Sequence, residues 1–440
     1  MIAIKAPASK SVSHRMIIGA AMAAGESTVS GVLESEDLAR TIGIFNDCGA
    51  KIYRQDAGVY TVTGCCGTPA GGMDNPVSCD VHESGTTCRL LTGVLAAGLG
   101  KFRIHGAPRM HERPIKELAD ALASLTVDVT YEGTEGCPPV VLDTDGLKGS
   151  EVSISLEESS QYLSGLLLAA PSTRGLTINL VGNKAVSWPY VGLTLDAMEL
   201  FGITFRVETL EDGEWIEKDW RTFETAVPNK TRFIVKPSMY RNGSYTVEGD
   251  WSNASYFLAA GTLGSEPLHI ANLRPDSLQG DKAMFTILKQ MGATLEIDDT
   301  GVTVHPSSLK GVDVDMGNCP DLVPTVAALA AFAEGDTTIR NVAHLRIKEC
   351  DRLAAPAAEL AKAGITTEVT EDGIVIRPDR KSIAAPEGTV FSTYNDHRMA
   401  MSLSLLQFAL GEIEFDNKAC VAKSFPTFWE EWEKVSPCRR

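Results

Sequence analysis

The stretch PASKSVSHRM at residues 7–16, followed by the apolar run IIGAAMAAG at residues 17–25, decides the fold because its pattern recurs along the chain. It places Lys10, Ser11 and Arg15 at the head of a helix that is apolar on nearly all sides. A helix of this kind is normally buried between other elements. The alternating segment STVSGV follows at residues 27–32, so the stretch predicts a buried helix and then a strand.

The same pattern of a polar head, an Ala- and Leu-rich helix and an alternating strand occurs six times in the 440 residues. The heads begin near residues 9, 84, 159, 252, 319 and 395. Five repeats continue with a second, amphipathic helix and another strand, whereas the sixth ends in PTFWEEWEKV. Such recurrence indicates one architecture repeated rather than six separate domains.

The interval between the third and fourth heads is the longest. It contains LEDGEWIEKDWRTFETAVPNK at residues 210–230, whose charged and aromatic composition predicts a surface insertion. The turn-rich segment KPSMYRNGSYTVEGDW follows, and we place the boundary between two halves of three repeats there, near Glu248. Each half is expected to form a domain, and a cleft between domains is the expected site.

Composition narrows the classes of ligand. The formal net charge of −17 argues against broad nucleic-acid binding, so an anionic ligand needs a local cluster of cations. No apolar run is long enough to span a bilayer, and the first residues lack a signal-peptide layout, so we expect a cytoplasmic protein. The ten cysteines lack metal-ligand spacing and are expected to be reduced thiols.

The cations that could form such a cluster lie at the N-terminal ends of the repeated helices. A helix N-terminus offers unpaired N–H groups and the positive end of the helix dipole, and is a ready anion site. A single serine there is usually a helix cap, but several cations at the mouths of buried helices favour phosphate or carboxylate ligands. The head residues that contribute are Lys10, Ser11, Arg15, Thr86, Arg89, Ser159, Ser160, Gln161, His397 and Arg398, and nearby basic stretches add Arg109, Arg113, Arg346, Lys348, Arg352 and Lys423.

Two carboxylates stand among these cations. Asp321 lies at the head of a hydrophobic helix, and Glu349 lies in the basic stretch RIKECDRL at residues 346–353. Helix-dipole stabilisation and a simple salt bridge are the ordinary alternatives for them, but a carboxylate beside an anionic substrate is also a candidate for proton transfer. Zinc-protease, Walker A and nucleophile-elbow motifs are missing from the sequence, which leaves positioning, electrostatics and acid–base transfer, with no metal or covalent cofactor expected.

Taken together, the motifs resemble those of the EPSP synthase family, the 3-phosphoshikimate 1-carboxyvinyltransferases. The resemblance covers essentially the whole chain and is carried by ordered motifs: SKSVSHR, SGTTCRLL, PRMHERPI, SSQYLSGLLLAAP, SWPYVGLTLDAMELFG, VEGDWSNASYFLAA, CPDLVPTVAALAAFA, RIKECDRL, YNDHRMAMSLSL and KSFPTFWE. It implies an α/β fold of two similar domains, each built of three βαβαββ units, like an inside-out α/β barrel. The domains expected are 1–8 plus 248–440 and 9–247.

The resemblance also implies the reaction, which transfers the enolpyruvyl group of phosphoenolpyruvate to the 5-hydroxyl of shikimate 3-phosphate and releases phosphate. Asp321, Glu349 and Lys10 are the catalytic residues it implies. For shikimate 3-phosphate the implied ligands are Lys10, Ser11, Arg15, Ser159, Ser160, Gln161, Ser187, Asp321, His344 and Lys348. For phosphoenolpyruvate they are Lys10, Gly85, Arg89, Arg113, Gln161, Arg352, Arg398 and Lys423.

The chain departs from the family pattern at Ala8, Glu83, Trp188 and His344, which replace the more common Gly, Asn, Lys and Asn. The family further suggests inhibition by glyphosate and a monomer. Two alternatives stay open at this point. One is the sister transferase acting on UDP-N-acetylglucosamine, whose reactive cysteine is missing from APRMHERPI, and the other is an anion-binding relative that has lost turnover.

Overall fold

The computed structural model describes residues 1–379 and 383–437. Within these ranges the helices are α1 (Lys10–Met22), α2 (Glu36–Asp47), α3 (Gly85–Ala96), α4 (Lys116–Ser124), α5 (Gln161–Ala169), α6 (Trp188–Leu200), α7 (Trp251–Leu263), α8 (Ala283–Gln290), α9 (Val323–Ala330), α10 (Ala354–Lys362), α11 (His397–Leu403), α12 (Gln407–Leu410) and α13 (Phe428–Val435). Short 3-10 turns lie between several of them.

The strands are β1 (Ile2–Lys5), β2 (Glu26–Ser30), β3 (Lys51–Asp56), β4 (Val59–Thr63), β5 (Val77–His82), β6 (Leu99–Gly106), β7 (Asp128–Tyr131), β8 (Val140–Asp145), β9 (Glu151–Leu156), β10 (Leu176–Ala185), β11 (Phe205–Glu211), β12 (Glu214–Lys218), β13 (Thr231–Val235), β14 (Ser244–Thr246), β15 (Leu268–Ala271), β16 (Thr294–Asp298), β17 (Gly301–His305), β18 (Asp313–Asp315), β19 (Thr337–Arg340), β20 (Thr366–Val369), β21 (Ile374–Arg377), β22 (Val390–Phe391) and β23 (Glu414–Phe415).

These strands form six sheets in the described part of the chain, and the sheets repeat one topology. Four have the orders β1-β15-β17-β16, β14-β2-β4-β3, β5-β6-β8-β7 and β18-β19-β21-β20. In each, the first two strands are parallel and the last two form an antiparallel hairpin. A buried helix precedes the second strand and another helix precedes the hairpin, which is the predicted βαβαββ unit.

The two remaining sheets differ from this four-stranded arrangement. The sheet β9-β10-β13-β11-β12 carries an extra edge strand, and that strand comes from the segment at residues 210–230. The sheet β22-β23 lacks the hairpin, and its second helix is α13, which begins within the PTFWEEWEKV segment. The α/β fold class with six internal repeats is therefore confirmed.

The chain divides into two compact units. The discontinuous unit comprises Met1–Ser9 and Glu248–Arg440, and the inserted unit comprises Lys10–Val247. Two strands connect distant parts of the sequence within these units, because β1 pairs with β15 and β14 pairs with β2. The expected domain ranges, 1–8 plus 248–440 and 9–247, stay a prediction for the folding domains, as does a site between them.

In the inserted unit the first helices of the repeats, α1, α3 and α5, form the core. Ile17, Ile18, Leu90 and Leu166 are fully buried, as expected for helices that are apolar on all sides. The backbones of α3 and α5 touch, because a Cβ atom added to Gly93 would lie 2.4 Å from the carbonyl carbon of Gly165. These small residues fix how the heads of α3 and α5 stand side by side.

One of the second helices differs from the prediction. Helix α6 was expected to be amphipathic, yet it is buried on most of its surface. Trp220, from the segment at residues 210–230, lies against Gly192 of α6 and donates its indole N–H to Glu199 at 3.0 Å. The segment is a surface insertion over much of its length, but its tryptophan covers a helix.

In the discontinuous unit α7, α9 and α11 are buried in the same way. An aromatic cluster closes this core, in which Phe257 contacts Phe425, Phe428 and Trp432 with ring centroids 5.7–5.9 Å apart. The heads of these three helices point into the cluster of charged residues described below. No helix in residues 1–379 and 383–437 combines the length and apolarity that a membrane span requires.

Candidate active site

The candidate residues fall into two clusters, one in each unit. In the inserted unit, Lys10 is the first residue of α1, and its ammonium group lies 3.1 Å from the carboxylate of Asp37. Asp37 lies in the first turn of α2, whose N-cap is Ser35. Both charged side chains are largely buried, so Asp37 sets the direction in which Lys10 extends. Sequence reasoning missed Asp37, because an acidic residue in a first turn is typical of any helix.

Arg15, also on α1, is 2% exposed. Its guanidinium donates to the carbonyl oxygen of Ser11 at 2.8 Å, to the hydroxyl of Thr194 at 2.8 Å and to the carbonyl oxygen of Tyr190 at 2.7 Å. Burial lowers the pKa of Arg15 to about 10. The side chain thus links α1 to α6 through neutral oxygen atoms.

His14 lies on α1 between the predicted cations Lys10 and Arg15, but it is not itself a cation. It is fully buried, and burial lowers its pKa to about 3, so it is neutral at pH 7. Its Nδ1 atom lies 3.0 Å from the hydroxyl of Thr41, which in turn lies 2.9 Å from that of Thr87. His14 therefore belongs to the packing of α1 against α2 and α3.

The head of α3 carries Gly85 and Arg89. A Cβ atom at Gly85 would lie 2.5 Å from a terminal nitrogen of Arg113, so the glycine makes room for that guanidinium. Arg89 donates to the carbonyl oxygens of Gly85 and Pro114 at 3.4 and 3.2 Å, and its guanidinium lies 5.9 Å from the ring centroid of Tyr162. Arg89 and Arg113 are 3% and 5% exposed, so two cations are buried at this helix mouth.

The heads of α5 and α6 supply hydroxyl and amide groups. Ser159 and Ser160 are buried immediately before α5, and the Ser159 hydroxyl accepts from the backbone N–H of Gln161 at 3.2 Å. The Gln161 amide donates to the hydroxyl of Thr86 at 3.1 Å, which joins the heads of α5 and α3. Ser187 caps α6 in a left-handed conformation with φ 57°. The structure therefore brings the predicted head residues of α3 and α5 together.

In the discontinuous unit the centre of the cluster is Asp321, in a 3-10 turn just before α9. One carboxylate oxygen lies 3.1 Å from a nitrogen of Arg352, and the other lies 2.8 Å from a nitrogen of Arg398. Burial alone would raise the pKa of Asp321, but Arg398, Arg352 and Lys348 outweigh it and hold that pKa well below its usual range. Asp321 is therefore ionised in the absence of ligand.

Arg352 lies among three carboxylates. Besides Asp321, its guanidinium contacts Glu349 at 2.8 Å and forms a two-pronged pair with Asp396 at 2.8 and 3.1 Å. Burial by itself would lower the pKa of this arginine, but Asp396, Glu349 and Asp321 raise it well above the usual value. Glu349, the second predicted carboxylate, is thus in the same cluster as Asp321.

Asp396 is the residue of this cluster that sequence reasoning missed. It is fully buried and caps α11 by accepting from the backbone N–H of Arg398 at 2.9 Å. It therefore contacts both arginines, Arg352 through its guanidinium and Arg398 through its backbone. The available signal was the cap position in NDHR, but that signal indicates only a helix start.

Four further predicted residues lie in the discontinuous unit. Arg398 also contacts the hydroxyls of Ser252 and Tyr256, both on α7. Lys348 is close enough to Asp321 to lower the pKa of that carboxyl. His344 and Lys423 are each 5% exposed, at the 3-10 turns Ala343–Ile347 and Lys418–Lys423.

Two departures from the family pattern have a structural account. Trp188 stacks on Phe223 with ring centroids 5.7 Å apart and is part of the core of the inserted unit. Ala8 forms an isolated antiparallel bridge with Gly249. Among the residues that the structure describes, no group of three His, Cys, Asp or Glu side chains has a metal-binding arrangement, and the nine cysteines there are free thiols.

Comparison with known proteins identifies the family through both sequence and fold. The sequence model of EPSP synthase (3-phosphoshikimate 1-carboxyvinyltransferase) matches residues 2–217 and 221–432. The 3-phosphoshikimate 1-carboxyvinyltransferase of Marinomonas sp. (strain MWYL1) is 36% identical over 439 residues, which is 98% of this chain and 96% of that protein. The protein of the same name from Actinobacillus pleuropneumoniae serotype 3 (strain JL03) is 38% identical over 438 residues, with the same coverage.

Solved structures agree. EPSP synthase from Acinetobacter baumannii superposes with a TM-score of 0.75 at 27% identity, covering 99% of this chain and 95% of that one. The enolpyruvyl transferase NikO from Streptomyces tendae has the same fold, with a TM-score of 0.71 at 20% identity over 99% of this chain and 94% of that one. The fold is thus the one that these transferases share. Since the sequence match extends over nearly the whole length, the chain belongs to the EPSP synthase family.

Proposed function

We propose that this protein transfers the enolpyruvyl group of phosphoenolpyruvate to the 5-hydroxyl of shikimate 3-phosphate, giving 5-enolpyruvylshikimate 3-phosphate and inorganic phosphate. This step belongs to chorismate and aromatic amino acid biosynthesis. The observation that carries the proposal is the position of Asp321 between the buried Arg352 and Arg398, with Glu349 also paired to Arg352. It combines cations for an anionic substrate with two carboxylates for proton transfer.

The substrate contacts follow the motifs. For shikimate 3-phosphate we propose Lys10, Ser11, Arg15, Ser159, Ser160, Gln161, Ser187, Asp321, His344 and Lys348. For phosphoenolpyruvate we propose Lys10, Gly85, Arg89, Arg113, Gln161, Arg352, Arg398 and Lys423. Each set includes residues of the inserted unit and residues of the discontinuous unit.

Asp321 is the proposed base for the 5-hydroxyl. Its low pKa keeps it charged, but a carboxylate paired with two arginines is a weak base. When the phosphate and carboxylate groups of phosphoenolpyruvate attract Arg352 and Arg398, these arginines share their charge with the substrate. The pKa of Asp321 then rises, and the carboxylate gains basicity only when both substrates are bound.

Glu349, together with Lys10, is the proposed group for the proton at C3 of the enolpyruvyl moiety. Protonation of C3 leaves positive charge at C2, and the 5-hydroxyl attacks there to form a tetrahedral intermediate. Loss of phosphate and of a C3 proton then gives the vinyl ether. The Lys10 ammonium carries the proton that C3 receives in the first step, and the Glu349 carboxylate accepts the C3 proton in the second.

The reaction is accelerated by electrostatic stabilisation of the substrates' charges and by the positioning of the two substrates. Two multiply charged anions repel each other unless fixed cations surround them. Holding both substrates in reacting geometry contributes about 7–11 kcal/mol to lowering the barrier. We further propose that the enzyme is a cytoplasmic monomer, that it uses no cofactor, and that glyphosate competes with phosphoenolpyruvate for the cations named above.

The test is release of inorganic phosphate with both substrates together and with each alone, in the absence of added metal. Wild type and Asp321→Asn are compared side by side. The proposal requires release only with both substrates, and a loss of about 100-fold or more in the variant. A folded wild-type protein that binds shikimate 3-phosphate but releases no phosphate would instead be a relative that has lost turnover.

A further inference from the structure

A left-handed turn precedes the buried Asp396. Tyr394 and Asn395 have φ values of 52° and 54°, a conformation that costs free energy for residues other than glycine. For a bulky residue such as tyrosine it is a true outlier, so neighbouring groups must hold it. The turn leads directly into Asp396, whose carboxylate contacts Arg352 and caps the helix that carries Arg398.

The group that holds the turn is Glu359, on α10. Its side chain is 1% exposed. One carboxylate oxygen accepts from the hydroxyl of Tyr394 at 3.0 Å, and the other accepts from the backbone N–H of Ser392 at 2.8 Å. Lys362 pairs with the second oxygen at 2.7 Å, which balances the charge of the buried carboxylate.

The loop at residues 392–396 is therefore bound at two places by side chains on or next to α10. Arg352 lies just before its first residue and binds Asp396, and Glu359 lies two turns further on and binds Tyr394. On the opposite side, Asp416 accepts from the backbone N–H and the hydroxyl of Thr393, both at 2.8 Å. A loop held on both sides, with its strained residues at the tip, keeps Asp396 in one orientation.

We propose that Tyr394 and Glu359 are positioning residues for the two arginines. The hydrogen bond from the Tyr394 hydroxyl to the Glu359 carboxylate maintains the left-handed turn, and the turn aims Asp396 at Arg352. This inference rests on the proposed function, because Arg352 and Arg398 are there assigned to phosphoenolpyruvate. Neither positioning residue needs to touch a substrate.

The experiment uses Tyr394→Phe, which removes only the hydroxyl. Tyr394 is 40% exposed, so its ring makes few core contacts and the variant is expected to fold. The KM for phosphoenolpyruvate should rise about three- to tenfold, the range for loss of one ordinary hydrogen bond. The KM for shikimate 3-phosphate should stay unchanged.

Rescue distinguishes positioning from a general loss of stability. Asn395→Gly allows a positive φ without strain, so the double variant Tyr394→Phe/Asn395→Gly should recover a KM closer to wild type. Asn395→Gly alone controls for the bond that Asn395 accepts from Asn417. Tyr245→Phe, which removes another bonded hydroxyl in β14, is the matched control and should leave both KM values unchanged.

Each outcome decides the matter. If the wild type is active, any one of three results would overturn the inference. These are an unchanged KM for phosphoenolpyruvate in Tyr394→Phe, equal rises in the KM values for both substrates, and a double variant whose KM does not recover. If wild type releases no phosphate, the proposed function fails instead. In that case tighter binding of phosphoenolpyruvate to wild type than to Tyr394→Phe, measured by calorimetry, would still support the positioning role, and equal affinity would overturn it.

Discussion

The arginines of the two clusters differ in the groups to which they donate hydrogen bonds. In the inserted unit, Arg15 and Arg89 donate to carbonyl and hydroxyl oxygens, and the carboxylate of Asp37 is paired with Lys10. In the discontinuous unit, the single side chain of Arg352 contacts three carboxylates. The pKa values show the contrast, since burial lowers that of Arg15 whereas carboxylates raise that of Arg352.

This difference separates two tasks. Cations held by neutral oxygen atoms keep their positive field and attract an anion, which suits binding. Cations held by carboxylates form a nearly neutral group, whose carboxylates change basicity when a substrate anion competes for the cations. We therefore expect the cations of the inserted unit to attract the substrate anions, and those of the discontinuous unit to couple the binding of phosphoenolpyruvate to proton transfer.

The largest effect is expected from Arg352→Gln. It leaves three carboxylates with their shared cation removed, and uncompensated buried charge costs about 3–5 kcal/mol. Arg89→Gln in the inserted unit removes bonds to neutral oxygens and should cost about 1–2 kcal/mol. Urea unfolding of both variants measures the difference, and equal losses would contradict the comparison.

Asp396→Asn is expected to act on binding more than on folding. Asparagine caps a helix as well as aspartate does, but it removes the charge that holds Arg352. The KM for phosphoenolpyruvate should rise about 10- to 100-fold, because a charged partner in a buried pair is lost. Asp219→Asn, at another cap that accepts a backbone N–H, serves as the control and should change neither KM nor kcat.

The neutral His14 predicts a pH dependence of stability. Its pKa is about 3 in the folded protein and about 6.5 when unfolded, so the unfolded chain binds more protons between these values. This contribution is complete above pH 6.5 and is lost as the pH falls toward 3, with a slope of up to about 1.4 kcal/mol per pH unit. In His14→Asn that slope should decrease between pH 6 and pH 4, whereas above pH 7 the stability curves of variant and wild type should run parallel.

The smallest effect is expected from Gly85→Ala. The new Cβ atom would displace the guanidinium of Arg113, which is the flexible end of a long side chain, so stability should change little. The KM for phosphoenolpyruvate should rise about threefold as the cation shifts, an effect of under 1 kcal/mol. Gly43→Ala, where a Cβ atom meets nothing within 4 Å, is the control. A KM that stays at the wild-type value would show that the inserted unit tolerates displaced charge.

The repeats and the helix heads could be predicted because both are local patterns. A run such as GTTCRLLTGVLAAG carries its own helix, its burial and its polar end. Asp37 and Asp396 could not be predicted as parts of the clusters, since each has the ordinary signature of a helix start. Their partners, Lys10 and Arg352, lie 27 and 44 residues away, and only folding brings them together.

The burial of α6 was missed for a similar reason. Its own sequence indicates an outer polar face, but Trp220 arrives from an insertion twenty residues beyond the helix and covers that face. The neutrality of His14 could not be predicted from its place between Lys10 and Arg15, because it depends on complete burial. In both cases the deciding contact lies outside the local pattern.

The pairing of Ile2 with Leu268 in β1 and β15 has a consequence for the order of events during synthesis. The ribosome makes β1 first, but that strand has no partner until more than half of the chain has emerged. The inserted unit, Lys10–Val247, is complete by then and is able to fold while β1 waits. Translation speed through residues 248–271 therefore controls how long an unpaired strand edge is exposed to aggregation in the cell.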